Sequence, residues 1–295
     1  MTTVWNMQQK YWQNQKHARN ITEDKLVLKA DMHIHSTISD GSYTMEEIVA
    51  AAEKKGLDAI AITDHDTLSH ALKLPKSSKV KVCAGIEISA FDYDKNFRVH
   101  VLGFGIKRPE IVEKVVHPTL EARNDNSMKQ IQILRENGYD IDIDCIAKAD
   151  GKYIYKQHIM DWLLAQGKVP ELFGDFYYST FKNNGICHFD IEYLNPFTAI
   201  KAIKAAGGYA VLAHSGQQQN FELIPELVKA GLDGLELNHH ANADKDKVII
   251  REYADKYHLF LTGGSDCHGR YEPNSPEVGD YLAEQSGAEI LFLGS

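Results

Sequence analysis

Apolar runs of strand length alternate with amphipathic stretches along most of this chain, and several of those runs end in a histidine or an acid. LVLKADMHIH (26–35) has the pattern of a strand, MEEIVAAAEKKG (45–56) that of a helix ended by Gly56, and LDAIAITDHD (57–66) that of the next strand. Such a βαβ unit predicts a parallel sheet backed by helices. VKVCAGIEIS (80–89) and FRVHVLGFG (97–105) predict two further strands, joined through FDYDKN by a hairpin or a short loop. The texture then changes. Residues 109–190 read as helical, with one long amphipathic stretch at 110–137 and shorter ones at 142–149, 154–166 and 170–182. The β-α rhythm resumes with a helix at 196–208, a strand at 209–215, a helix at 221–230, a strand at 232–238, a helix at 243–257 and a strand at 258–269. The economical fold is α/β: a barrel formed by residues 26–108 and 191–295, with a helical insertion at 109–190 that could cap its mouth. Residues 1–25 form an N-terminal extension, in which Trp5, Tyr11 and Trp12 could anchor a helix or belong to a loose segment.

Composition narrows the function classes. A chain of 295 residues with 43% hydrophobic content can bury a sizeable core in one large domain. The formal net charge of −9 comes without any basic run, which argues against non-specific binding to nucleic-acid backbones. A small phosphorylated substrate stays compatible with it, because local cations outweigh a distant surface charge. The four cysteines, Cys83, Cys145, Cys187 and Cys267, include no C-x-x-C pair, so neither a disulfide framework nor a thiolate zinc site is indicated. That usage fits a reducing cytoplasm. No apolar run approaches the roughly 20 residues that a membrane span requires.

The fourteen histidines are more than structure readily explains, and nine metal-binding side chains stand out in order: His33, His35, Asp40, His65, Glu87, His100, His214, Asp266 and His268. His33 and His35 project from one face of an extended strand, and a Ser/Gly-rich turn can fold Asp40 back toward them. His65 lies between Asp64 and Asp66, as suits a ligand supported by carboxylates, although a solvated turn reads the same way. Glu87, inside the apolar AGIEIS, is costly to bury unless paired or metal-bound. His100 could equally be a hydrogen-bonded core histidine. His214 ends a strand before a Ser-Gly turn, and Asp266 and His268 repeat the two-residue spacing in a Gly/Ser-rich setting. Cys267 between them should face the other way. His239 and His240 lie near the expected rim and read as supporting or surface residues. Taken together, the nine favour a multinuclear metal centre, and donors of nitrogen and oxygen suit Mn, Fe or Zn.

DMHIHSTISDG, ITDHD, the GIE of AGIEIS, HVLGFG, AHSG and GSDCHG, in that order over about 31–270, resemble the motifs of the PHP (polymerase and histidinol phosphatase) family of metal-dependent phosphoesterases. The branch with a helical insertion, acting on nucleoside phosphates or RNA 5' ends, is the most similar. The resemblance implies a distorted (β/α)7 barrel holding two or three divalent ions. One ion would be held by His33, His35, Glu87 and Asp266, a second by Glu87, His100 and His214, and a third by Asp40, His65 and His268. It also implies that Lys156 and His158, where relatives carry an Arg two residues before a His, contact substrate phosphate. Lysine supplies a point charge without the bidentate guanidinium fork. AHSG at 213–216 replaces the frequent AHPG while keeping His214. Arg270, beside GSDCHG, could assist.

The implied reaction is hydrolysis of a phosphate monoester by metal-activated water, with a nucleoside 3',5'-bisphosphate or monophosphate as the expected substrate. Alternatives within the class are 5'-3' exonucleolysis of short RNA and histidinol phosphate hydrolysis. Outside it stand an amidohydrolase, which would leave Asp40, Glu87 and the final D-x-H less well explained, and a non-catalytic metal-binding module.

Overall fold

The computed structural model describes residues 27–146, 153–272 and 276–293; the reading of an N-terminal extension falls outside them. Seven strands follow chain order in one sheet: β1 (Ala30–Asp31), β2 (Ala59–Ile62), β3 (Lys81–Asp92), β4 (Phe97–Phe104), β5 (Tyr209–Leu212), β6 (Gly234–Asn238) and β7 (Phe260–Gly263). Beyond β7 the chain returns to β1, where Met32 N–H donates to Gly263 O at 3.1 Å and His35 N–H to Cys267 O at 3.1 Å, so the sheet curls into a nearly closed barrel.

The barrel is not all parallel. β3 and β4 form an antiparallel hairpin through Tyr93–Asn96, and β4 is also antiparallel to β5, whereas the other pairs are parallel. A four-residue connection leaves no room for a crossover helix, which dictates the reversal. The strand read at 26–35 keeps just two ladder residues for a local reason. Asp31 Oδ1 accepts from His33 N at 3.2 Å and from Ser265 N at 2.9 Å, substituting a side chain for the ladder there. Beyond that break Ile34 packs outward, and His33 and His35 face inward.

Side-chain alternation explains the two layers. Ala30, Ala59, Ala61, Leu102, Phe104 and Val211 come from strands on opposite sides of the barrel yet form one cluster, so they fill its interior. Their in-between neighbours, such as Val99, Val101, Ala210, Leu212 and Leu235, pack outward on helices. The helices of this layer are α1 (Met45–Lys55), α2 (Pro109–Glu136), and, after the insertion, α5 (Pro196–Ala205), α6 (Ser215–Gln218), α7 (Ile224–Ala230), α8 (Asp244–Tyr257) and α9 (Gln285–Phe292). Thr44 and Glu47 form a reciprocal cap at the start of α1, and Gly56, at φ 67°, ends it. Ala288 and Phe292 of α9, a helix the sequence pattern did not reveal, join the interior cluster.

The insertion has its own core, built from Ile131, Leu134, Ile141, Ile154, Ile159, Leu163 and Phe181. It includes α3 (Lys156–Ala165) and α4 (Asp175–Phe181); the helix read at 142–149 is, among the described residues, a short 3-10 turn at Ile143–Cys145. The 28-residue α2 belongs to both bodies, since Val112 and Val116 sit in the barrel core and Ile131 and Leu134 in the insertion core. No helix among the described residues is long and apolar enough to cross a membrane.

Candidate metal centre

All nine donors read from the sequence converge at one mouth of the barrel. His33, His35 and Glu87 are buried, Asp40, His65, His214 and Asp266 nearly so, and His100 and His268 retain some exposure. His33 Nε2 lies 3.2 Å from Asp266 Oδ1 and 3.3 Å from Glu87 Oε2, and His35 Nε2 lies 3.1 Å from each of the same two oxygens. Glu87 turns its other oxygen away. Its Oε1 is 2.8 Å from His100 Nδ1 and 2.9 Å from His214 Nε2, so the carboxylate spans two donor groups. A third group surrounds Asp40, with His268 Nε2 3.4 Å from Oδ1, His65 Nε2 3.9 Å from Oδ2, and His35 Nδ1 3.7 Å from Oδ1. The opposite nitrogen of His35 thus faces this group.

The spacing suits ions. Donors about 2.1 Å from one centre lie roughly 3.0–3.4 Å apart at octahedral or tetrahedral angles. His33 Nε2, His35 Nε2, Asp40 Oδ1 and Asp266 Oδ1 are buried without a hydrogen-bond partner among the described residues, an arrangement that is costly unless a cation completes it. Burial pushes the Asp40, Glu87 and Asp266 carboxyls up, yet the surrounding imidazoles hold all three well below the ordinary carboxylate range: His65 and His268 for Asp40; His65, His100 and His33 for Glu87; His33 and His268 for Asp266. They are therefore ionised and ready to coordinate.

Two of the donors sit on unusual backbone. His214 at φ 24° and Asp266 at φ 56° adopt left-handed backbone without being glycine, a feature of functional sites whose surroundings over-determine the conformation. Gly264 permits the approach of the two strand ends, because a Cβ there would sit 2.3 Å from the His33 nitrogen. Asp64 organises the opening loop by accepting from Ser36 N at 2.8 Å, Ser36 Oγ at 2.7 Å and Ser39 Oγ at 2.7 Å. Cys267 is buried among Ile34, Ile48 and Val49, away from the donors.

A cavity of about 220 Å³ opens over His65, Glu87, His100, His214, Asp266 and His268. A second, of about 210 Å³, lies against the insertion and is lined by Arg98, Arg123, Lys156 and Lys182 together with Asp40, Asp190, Tyr155 and Tyr193. A smaller space of about 110 Å³ touches His65 and His100 on one side and Arg98, Arg123 and Tyr193 on the other. An electropositive chamber therefore adjoins the donor cluster. Arg123 is partly neutralised, since it donates to Asp66 Oδ2 and to Ser89 Oγ, each at 2.9 Å. Burial lowers the Lys156 ammonium to about 8, with nearby Lys182 adding to the effect.

The three residues expected to handle phosphate separate. Lys156 is in the chamber wall. His158 is buried away from it, its Nδ1 accepting from Tyr155 N at 3.1 Å and its ring edge-on to Tyr155 and Tyr271. Arg270 is committed to a two-pronged ion pair with Asp161, whose Oδ2 also accepts from Tyr271 Oη at 3.0 Å. This clasp, with Tyr155 Oη donating to His65 O at 3.2 Å and Gln157 Nε2 to Asp40 Oδ2 at 3.0 Å, ties α3 to the barrel rim.

Sequence reasoning missed Arg98, Arg123 and Lys182, whose proximity depends on how α2 and α4 fold over the hairpin. It also missed Glu236. That acid lies in the apolar GLEL of β6, the same signal by which Glu87 was found. His239 is fully buried, with Nε2 3.2 Å from Asp266 Oδ2, and His240 is half-buried beside it.

Comparison with known proteins agrees with this geometry. A family model described as PHP domain matches residues 31–268. A phosphoribosyl 1,2-cyclic phosphate 1,2-diphosphodiesterase of Eggerthella lenta is 38% identical over 255 residues, covering 84% of this chain and 97% of its own. A 3',5'-nucleoside bisphosphate phosphatase of Chromobacterium violaceum is 27% identical over 258 residues, covering 81% and 86%. Among solved structures, a chain of Bifidobacterium adolescentis, whose metal-dependent phosphoesterase activity is itself a prediction, superposes with a TM-score of 0.76 at 28% identity over 90% of this chain and 98% of its own.

Proposed function

Since this chain belongs to the PHP domain family and is a metal-dependent phosphoesterase, a hydrolase of phosphoric esters, we propose that its substrate is a small ribose phosphate carrying a second phosphate, the reacting group at the donor cluster and the other in the chamber of Arg98, Lys156 and Lys182. The observation that carries this reading is the adjacency of the two cavities: four lining cations face two acids, Asp40 and Asp190, in the chamber, and Asp40 is itself turned to the donor cluster. Both a ribosyl cyclic phosphate with a 5-phosphate and a nucleoside 3',5'-bisphosphate have the required pair of anionic ends. The Eggerthella relative, at 38% identity, favours the cyclic ester; the sequence reading favours a nucleoside 3',5'-bisphosphate or monophosphate, and of these two the bisphosphate has the second phosphate.

In this reading His33, His35, Glu87 and Asp266 would hold one divalent ion, Glu87 with His100 and His214 would hold a second, and Asp40, His65 and His268 would hold a third. Divalent ions so placed supply Lewis acidity and an activated water near neutral pH. The chain's residues do the rest. Ionised Asp40, Glu87 and Asp266 fix the positions of positive charge, and the strained backbone of His214 and Asp266 aims those ligands before substrate arrives. Lys156, Lys182 and Arg98 hold the remote phosphate, which orients the ester over the donors. Arg123, bound to Asp66 and Ser89, keeps Tyr155 in place under its guanidinium, 5.4 Å from the ring centroid. His158 and Arg270 act one step back, His158 by fixing the start of α3 and Arg270 by clasping Asp161.

Product analysis after incubation with chelated protein reloaded with Mn tests the reading on three compounds: a ribosyl 1,2-cyclic phosphate with a 5-phosphate, followed by appearance of the ring-opened monoester; a nucleoside 3',5'-bisphosphate, followed by release of inorganic phosphate; and a 5'-phosphorylated oligonucleotide, followed by release of mononucleotide or phosphate. Preference for either small compound over its analogue lacking the second phosphate is expected. Equal rates with and without that group, or turnover of the oligonucleotide alone, would overturn it.

A further inference from the structure

Strand β6 ends at the metal centre but supplies none of the nine donors; instead it presents Glu236 and His239, both buried, behind two of them. Glu236 Oε1 lies 3.0 Å from His33 Nδ1, and its Oε2 accepts from the His214 backbone N–H at 2.9 Å. A carboxylate only accepts, so a His33 that ligates through Nε2, which faces Glu87 and Asp266, keeps its proton on Nδ1 toward Glu236. His239 works by the same logic. The Ala241 N–H donates to its Nδ1 at 3.0 Å, which leaves the proton on Nε2, and Nε2 lies 3.2 Å from Asp266 Oδ2. Asp266 therefore has one oxygen tied down and Oδ1, which has no hydrogen-bond partner among the described residues, turned toward His33 and His35. A bulge between Glu236 and Asn238 in the β6–β7 pairing falls at this point and re-aims the strand end.

We propose that Glu236 and His239 are the positioning residues of the first metal site: Glu236 sets the tautomer of His33 and, through His214 N, the strained turn that presents a ligand of the neighbouring site, while His239 selects which oxygen of Asp266 faces the ion. His33, Glu236 and His239 also lie close enough to one another to hold a cation themselves. That arrangement is disfavoured, because both nitrogens of His239 and both oxygens of Glu236 already have partners. Glutamine at 236 keeps the size of the side chain but has one acceptor where two are needed. Glutamine at 239 can still donate to Asp266, whereas alanine cannot.

The inference rests on His33 and Asp266 being ligands, and the test separates the two ideas. Chelated wild type, His33→Ala, Glu236→Gln, His239→Ala and His239→Gln are titrated with Mn, following free Mn by electron paramagnetic resonance, with the melting temperature of each metal-free protein recorded alongside. Wild type should bind Mn, His33→Ala should lose a site, and Glu236→Gln and His239→Ala should weaken one site by about 10–100-fold. His239→Gln should recover part of that loss, and the metal-free melting temperatures should stay close to wild type. If His33→Ala binds like wild type, the ligand reading falls. If His33→Ala loses a site while Glu236→Gln and His239→Ala bind like wild type, the positioning role falls and the ligand reading stands. A loss of metal-free stability that accounts for the weakened binding would likewise overturn it in favour of a packing role. Should Glu236→Gln fail to fold, the alanine and glutamine pair at 239 decides: equal affinity in both overturns the proposal.

Discussion

The barrel mouth and the helical insertion meet at one pair of cavities but are built to different standards. At the mouth, donors from six separate segments are buried or nearly so; His33 is backed by Glu236 and Asp40 by Gln157, His214 and Asp266 sit on left-handed backbone, and the donor separations are those of ligands around one ion. In the chamber, Lys156 of the insertion is half-buried over the ring of Phe181 at 5.9 Å and Lys182 is half-buried, while Arg98, reaching in from barrel strand β4, is exposed, with a carboxylate oxygen of Asp190 3.7 Å away. A point charge attracting phosphate tolerates such looseness, whereas bond-making at phosphorus does not. On the proposed function, the rate of the chemical step belongs to the barrel mouth and the choice of substrate to the chamber that Lys156 and Lys182 of the insertion line.

Breaking the barrel side should therefore produce the largest effect. His33→Ala or Asp266→Ala is expected to lower kcat on the order of 10³-fold, the rate equivalent of roughly 4 kcal/mol, measured as product formation at saturating substrate and Mn. A fall in affinity alone would put these residues on the binding side of the comparison. On the insertion side, Lys156→Ala and Lys182→Ala should each raise KM for a doubly phosphorylated ribose by about 10-fold, with kcat nearly unchanged. A fall in kcat with unaltered KM would erase the distinction.

A pH series sharpens it further. Burial holds the Lys156 ammonium near 8, so its charge is present below that pH and lost above it. KM for the doubly phosphorylated substrate should rise several-fold between about pH 7.5 and 9, and Lys156→Arg, which stays charged, should flatten the curve. The smallest effect concerns the link between the regions. Asp161→Ala removes the acceptor shared by Arg270 and Tyr271 and should cost about 1 kcal/mol, since the arginine is largely exposed, lowering the melting temperature by about 2 °C. A drop several times larger would mean that the clasp, rather than the shared helix α2, joins the two bodies.

The same contrast governs what could be read from the sequence. His33, His35, His65, His214, Asp266 and His268 were legible because strand periodicity places them at strand ends, and the fold brings such ends together. Glu87 was legible as an acid that an apolar strand would not otherwise tolerate, and Glu236 carried that signal too but lacked a neighbouring motif to draw attention to it. The antiparallel β3–β4 pair was visible in FDYDKN as a hairpin, although the surrounding rhythm suggested a parallel barrel throughout. Arg98, Arg123 and Lys182 were not legible. They lie on a hairpin, a long helix and a loop, and only the packing of the insertion core sets their separation. Arg270 shows the limit of reasoning from proximity: next to the final motif in sequence, its side chain turns to Asp161.

One measurement tests the division of labour most directly: the ratio of kcat/KM for a ribose ester with and without its second phosphate, in the wild type and in the Lys156→Ala/Lys182→Ala double variant, both loaded with Mn. The account predicts a ratio well above one in the wild type that falls toward one in the variant, with kcat retained on both compounds. An unchanged ratio, or an equal loss of kcat on both, would contradict it.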